Sequence, residues 1–154
     1  SLDPNIKSHN YLNLVMADLE VRDRSSHAWA VLLDTRGYIS EGIGSNVFFV
    51  KNGELLTPKA DYVLPGVSRA VVLELAAAEG FPVHEVDISP EQARSADEAF
   101  ITSTSFCICP VRSYDEARLD EAGIPGPITR QLSDAFSSEA GFDFVAQYLE
   151  ALNA

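Results

Sequence analysis

Basic residues are scarce in this 154-residue chain: 11 lysines and arginines stand against 23 aspartates and glutamates, for a formal charge of -12. A chain so acidic repels phosphates, which argues against an extended nucleic-acid or anionic-membrane surface, although an isolated anionic group can still bind at a local site. Long apolar runs are missing, and nothing approaches the roughly 18 residues that a membrane span needs. Cysteine is nearly absent. Cys107 and Cys109 sit at alternate positions of an apolar stretch, where a strand would point both to one face, and their spacing is awkward for a disulfide. A reducing cytoplasm fits that usage. His9, His27 and His84 are scattered without metal-ligand spacing and no Cys-x-x-Cys set exists, so no metal is expected. Ser1-Leu2-Asp3-Pro4 lacks the basic start and apolar core of a secretory signal. An initiator methionine is also missing, so the chain is expected to begin partway through a longer protein or after a processed or tag-derived start.

What is present describes one globular domain with a sizeable core: 46% hydrophobic and 22% charged residues are ordinary values, and the length suits a single domain. Tyr11, Leu12, Val15, Met16 and Leu19 recur at helical spacing, which predicts an amphipathic helix over 10–23. Strands are predicted over 28–33, 38–41, 46–50, 54–57, 81–86, 98–103 and 108–113. Asn52-Gly53 should close a tight hairpin, because that pair tolerates positive backbone angles. Pro65-Gly66 precedes a predicted helix over 68–79 that stops at Gly80, and Ser89-Pro90-Glu91-Gln92 has the form of a capped short helix. Two further helices, 128–139 and 142–152, follow Pro125-Gly126-Pro127 and are split by Gly141.

Three features carry possible chemistry. The helix start at Val67 and Ser68 offers unpaired N–H groups, the positive end of the helix dipole and a hydroxyl, a ready site for an anion, though every helix has such an end. Thr102-Ser103-Thr104-Ser105, at a strand end, could donate to the same anion or form only a polar turn. Glu41 lies in Ser40-Glu41-Gly42-Ile43-Gly44-Ser45-Asn46, where two glycines permit unusual backbone angles. That phrase lacks the Gly-Lys-Ser/Thr ending of a phosphate loop, and taken alone Glu41 reads as a solvated turn acid. Lys7 alone says less still.

Ordered along the chain, four phrases resemble the larger domain of class IV (fold-type IV) aminotransferases, the group of D-amino acid and branched-chain aminotransferases. Ile6-Lys7-Ser8-His9-Asn10-Tyr11-Leu12 resembles the phrase with the Schiff-base lysine, and Glu41-Gly42-Ile43-Gly44-Ser45-Asn46-Val47-Phe48 the phrase with the ring-nitrogen partner. Leu64-Pro65-Gly66-Val67-Ser68-Arg69 and Thr102-Ser103-Thr104-Ser105 resemble the two halves of its phosphate cup. The resemblance implies pyridoxal 5'-phosphate as cofactor, with Lys7 as its covalent anchor. A free lysine titrates near 10.4, so that site should favour the neutral amine. Glu41 would keep the ring nitrogen protonated, and Tyr11 would bond the ring hydroxyl. The cup would use Val67, Ser68, Ser103 and Thr104, with Ser105 and Phe106 lining the substrate pocket.

The fold implied is an α/β domain in which a barrel-like sheet is surrounded by helices; the sheet-and-helix content comes from the sequence, the barrel form from the resemblance. The activity implied is transfer of an amino group between an amino acid or amine and a 2-oxo acid. A lyase of the same family, of the 4-amino-4-deoxychorismate type, and a non-catalytic domain that keeps the fold are the alternatives. Ser45-Asn46-Val47-Phe48 is closer to the D-amino acid type, while Phe106-Cys107 fits neither subtype, so substrate and handedness stay open. Family members form homodimers and carry a smaller N-terminal domain that supplies an arginine to the phosphate; none of the residues before Lys7 can do so.

Overall fold

A computed structural model describes residues 11–25 and 27–152, which leaves Lys7 outside the described residues. Asn52 and Gly53 adopt φ of 52° and 82°, the positive angles that a two-residue hairpin requires. They join β3 (Asn46–Lys51) to an antiparallel β4 (Glu54–Pro58). A 3₁₀ turn at Ala60–Tyr62 leads into α2 (Val67–Ala78), after which β5 (Val83–Val86) runs parallel to β4. Parallel neighbours need such a crossover, and the helix supplies it. Next comes α3 (Pro90–Arg94), opened by a reciprocal capping box between Ser89 and Gln92. Then β6 (Glu98–Ser103) pairs with the free edge of β3, and β7 (Cys107–Val111) with β6. The sheet order is β5-β4-β3-β6-β7.

Its two faces follow from strand alternation. Val47, Phe49, Ala99 and Ile101 point to one side, where they meet Ile39, Ile88, Ala93 and Leu119. Phe48, Val50, Phe100 and Ile108 point to the other, against Val72 and Ala76 of α2 and Leu132 of α4 (Pro127–Ala140). Phe48 and Phe100, opposite each other in the ladder, stack with ring centroids 4.9 Å apart. The C-terminal α5 (Phe144–Leu152) adds Phe144 to that side. By contrast α1 (Leu12–Arg24) has no buried residue, and its apolar stripe is bare, with Leu12 69% and Met16 59% exposed.

The structure departs from the sequence reading at several points. The strand expected from Ala28 shrinks to β1 (Val31–Leu33), whose register against β2 (Ile39–Gly42) shifts between Val31 and Leu33. A shifted register cannot extend a regular ladder, and Trp29 stays half exposed. The strand expected over 108–113 starts earlier and ends at Val111. Its last part turns away as β8 (Ser113–Tyr114), paired with β9 (Ala117–Arg118) in a hairpin whose turn residue Asp115 has φ of 48°. The strands and helices form the expected α/β domain; its strands fall into three sheets, of two, five and two strands, with no closed barrel among the described residues. β2 is tied to the region after β5 by Ile39 N–H donating to the Ile88 carbonyl at 2.8 Å.

The cysteines do not share a face. Cys107 has φ of 57°, in the left-handed region, which breaks the alternation. It packs against the helix-side cluster while Cys109 packs on the opposite side, and both thiols are free. Among the described residues no helix is long and apolar enough to cross a membrane.

Candidate active site

Three element ends converge: β3 begins, β6 finishes and α2 starts here. Asn46, the first residue of β3, pairs with Thr102 near the end of β6. Its side-chain Nδ2 donates to the Leu64 carbonyl at 2.8 Å. Its Oδ1 lies so close to Gly66 that a Cβ added there would sit 2.3 Å from it, so glycine is required at that point. Gly66 is the N-cap of α2 and accepts from Ala70 N–H at 3.0 Å, but no side chain caps the helix. The N–H groups of Val67, Ser68 and Arg69 therefore lack intrahelical partners. Val67 is 70% exposed and opens this end to solvent. Ser68 is buried and shares a helical stripe with Val72 and Ala76, which places it towards the sheet.

Arg69, although buried, does not serve this end. Its guanidinium donates to the Pro58 carbonyl at 3.0 Å and pairs with Glu85 on β5. The local field at the helix start thus rests on amides and hydroxyls. On the β6 side, Thr102 is buried with an unpartnered Oγ1, and Ser103 Oγ accepts from Ser105 N–H at 3.0 Å. That bond folds the Thr104-Ser105 turn back on the strand end and leaves the Ser103 hydroxyl proton free to donate. Thr104 and Ser105 are exposed and Phe106 is half-buried.

Glu41, on β2, is joined to the same place through Leu64, whose N–H donates to Glu41 Oε2 at 2.9 Å. Burial pushes the Glu41 carboxyl above its usual range, and the Leu64 bond offsets part of that. It sits half-buried within β2 and no cation pairs with it among the described residues, so Glu41 is not a fully solvated turn acid. A fully buried carboxylate makes the contrast. Glu98 is saturated by Ile128 N–H, Thr129 N–H and the Thr129 hydroxyl, at 3.0, 2.9 and 2.7 Å. Glu98 therefore serves the fold, and Glu41 keeps acceptor capacity for something else.

Tyr11 stands at the N-cap of α1, 41% exposed. Two participants were not singled out from the sequence. Asn46 lay inside a quoted phrase, but nothing in its neighbours says that its amide crosses to Leu64. Trp29 meets Phe106 edge to face, with centroids 6.0 Å apart, and lies 3.2 Å from where a Gly42 Cβ would be. Its aromatic type beside Phe106 was the available signal, but the contact depends on the fold.

Known proteins resemble this chain in sequence and in fold. The Arabidopsis thaliana branched-chain-amino-acid aminotransferase-like protein 1 is 40% identical over 136 residues, which is 88% of this chain and 24% of that protein. A branched-chain amino acid aminotransferase from Thermobaculum terrenum, solved in its PLP holo-form, superposes with a TM-score of 0.85 at 37% identity, covering 93% of this chain and 47% of that one. A Legionella pneumophila protein provisionally described as a 4-amino-4-deoxychorismate lyase superposes with a TM-score of 0.80 at 25% identity, covering 87% of this chain and 49% of that one. The chain thus spans from about a quarter to about half of these proteins. The family model for amino-transferase class IV matches residues 1–114, and the chain belongs to that family.

Proposed function

We propose that this chain is the cofactor-holding part of a pyridoxal-phosphate-dependent aminotransferase, which moves an amino group between an amino acid or amine and a 2-oxo acid. The observation that carries the reading is Glu41, a half-buried carboxylate with no cationic partner among the described residues, tied through one residue to an uncapped helix start. These residues fit the group at both ends. Donors without acceptors at α2 suit a phosphate, and an acceptor without a cation suits a protonated ring nitrogen. When bound, the cofactor supplies an electron sink for the substrate carbon that loses its proton.

The protein's own residues do the rest. Val67 and Ser68 would hold the phosphate by amide and hydroxyl, with Ser103 and Thr104 closing the other side. Glu41 would keep the ring nitrogen charged, and Tyr11 would orient the ring hydroxyl. Lys7 would anchor the cofactor and carry the proton between substrate and cofactor carbons. Ser105 and Phe106, with Trp29 beside them, would border the substrate.

The same proposal extends to the whole protein. A smaller N-terminal domain would add an arginine to the phosphate, and two copies would associate, for which the bare apolar stripe of α1 is the support. Two free thiols support a reducing cytoplasm. Choice between D-amino acid and branched-chain substrates is left to assay.

The test is a visible spectrum of the protein with pyridoxal phosphate, then borohydride reduction and peptide mapping. Label is expected on Lys7; label on Lys51 or Lys59 in the assembled enzyme would sink the assignment. The Legionella likeness keeps the lyase as the second reading. An aminotransferase half-reaction leaves the cofactor in its amine form, whereas the lyase releases pyruvate.

A further inference from the structure

The short stretch between the 3₁₀ turn and α2 is held to the rest of the protein by very few bonds. Pro65 has no N–H to give. Among the described residues, the backbone of Val63–Pro65 makes two hydrogen bonds, both at Leu64: its N–H to Glu41 Oε2 at 2.9 Å and its carbonyl from Asn46 Nδ2 at 2.8 Å. Those two bonds fix the orientation of one residue from opposite sides. Asn46 can hold its end because it is itself immobile, 6% exposed and locked into the β3–β6 ladder opposite Thr102. Its other amide atom abuts Gly66, where the unpaired N–H groups of α2 begin.

We propose that Asn46 is a positioning residue that couples the two ends of the cofactor site, setting the Glu41 carboxylate and the α2 N-terminus together through Leu64 while touching neither ligand end itself. The inference rests on the cofactor reading above for its functional meaning, but its structural content stands on the cofactor-free protein. Without the amide donor, Leu64 is free to rotate. Its N–H then leaves Glu41, and the direction of the Gly66–Ser68 amides changes with it. Among the described residues Glu41 has no other hydrogen-bond partner to hold it. Arg36, the nearest cation along its own hairpin, is occupied by Asp34 and Asp87, and Tyr62 on the facing 3₁₀ turn lies under that guanidinium at 3.9 Å.

The variants are Asn46→Ala, which removes the donor, and Asn46→Asp, which keeps the shape and turns an acceptor towards the Leu64 carbonyl. They are made in the full chain, with whatever its gene encodes on either side. In cofactor-free protein, amide exchange at Leu64 is expected to quicken at least tenfold in both variants, and NMR titration of the Glu41 carboxyl to move upward. In titrations with pyridoxal phosphate, with pyridoxal and with inorganic phosphate, affinity for all three should fall together by about tenfold. Thermal unfolding and the exchange rates of β4 monitor folding. If Asn46→Ala unfolds the chain, Asn46→Asp carries the test. Unchanged Leu64 exchange and Glu41 titration in a folded variant would overturn the coupling. So would a loss confined to inorganic phosphate with pyridoxal unaffected, since that makes Asn46 a local part of the cup. If the unsubstituted protein binds none of the three ligands, the cofactor reading fails, while the exchange and titration results still decide the role of Asn46.

Discussion

Glu98 at the start of β6 and Thr129 in the first turn of α4 are joined twice: the carboxylate accepts the Thr129 N–H at 2.9 Å and its hydroxyl at 2.7 Å. The helix is thus capped by a strand residue 31 positions earlier in the chain, in place of a side chain at its own N-cap, Gly126. A Cβ on Gly126 would lie 2.3 Å from Glu98 Cδ. Glu98→Gln should therefore destabilise the protein by about 1.5–3 kcal/mol, the range for hydrogen bonds to a charged group. Its amide would turn donors towards donors. Gly126→Ala should cost stability as well, by driving the carboxylate off the helix. Urea unfolding of both variants checks this, and wild-type midpoints would remove the cap from the account.

Glu41 is predicted to act in chemistry more than in binding. Glu41→Gln keeps the shape and an oxygen for the Leu64 N–H but removes the charge that would hold a protonated ring. Single-turnover transamination should slow at least tenfold, about 1.4 kcal/mol of barrier, with cofactor affinity falling much less. An unchanged rate would take Glu41 out of the mechanism.

The same residue predicts a pH dependence of the cofactor-free fold. Burial raises the Glu41 carboxyl above its unfolded value of 4.5, so the folded state holds that proton more tightly. Its stabilising contribution is complete below pH 4.5 and is lost as pH rises through the folded value. The stability difference between wild type and Glu41→Gln should therefore shift against the wild type as pH rises above that point. Saturating pyridoxal phosphate should cancel the shift, because a ring cation held beside Glu41 would offset the cost of burying its charge. Parallel pH curves for the two proteins would contradict it.

Thr104 lies on the exposed turn after β6, beside the strand end that Asn46 ties to α2. Thr104→Val should mainly weaken cofactor retention, since one hydrogen bond to a charged phosphate is worth roughly 1.5–3 kcal/mol. Folding should be untouched, as the side chain is exposed. Equal dissociation constants for the two proteins by absorption titration would show that this side of the cup is wrongly placed.

Local signals were legible wherever a few adjacent residues decide the outcome. Asn52-Gly53 specified its hairpin, Ser89 and Gln92 their capping box and Gly141 the break between α4 and α5, and β6 spans the strand expected over 98–103. These depend on backbone freedom, short side-chain reach and burial period, all carried within a few positions. The ordered phrases likewise set Glu41 and Ser68 in one family context. What tertiary structure alone decided were contacts between distant segments. The Asn46 amide reaches Leu64, the Leu64 N–H reaches Glu41, Glu98 caps α4, and the left-handed Cys107 sends the two thiols to opposite faces. The division of the strands into three sheets belongs with them, because strand pairing depends on how edges meet in space. A hydrogen bond across such a gap depends on where two rigid elements come to rest, and no local pattern of residue types encodes that position.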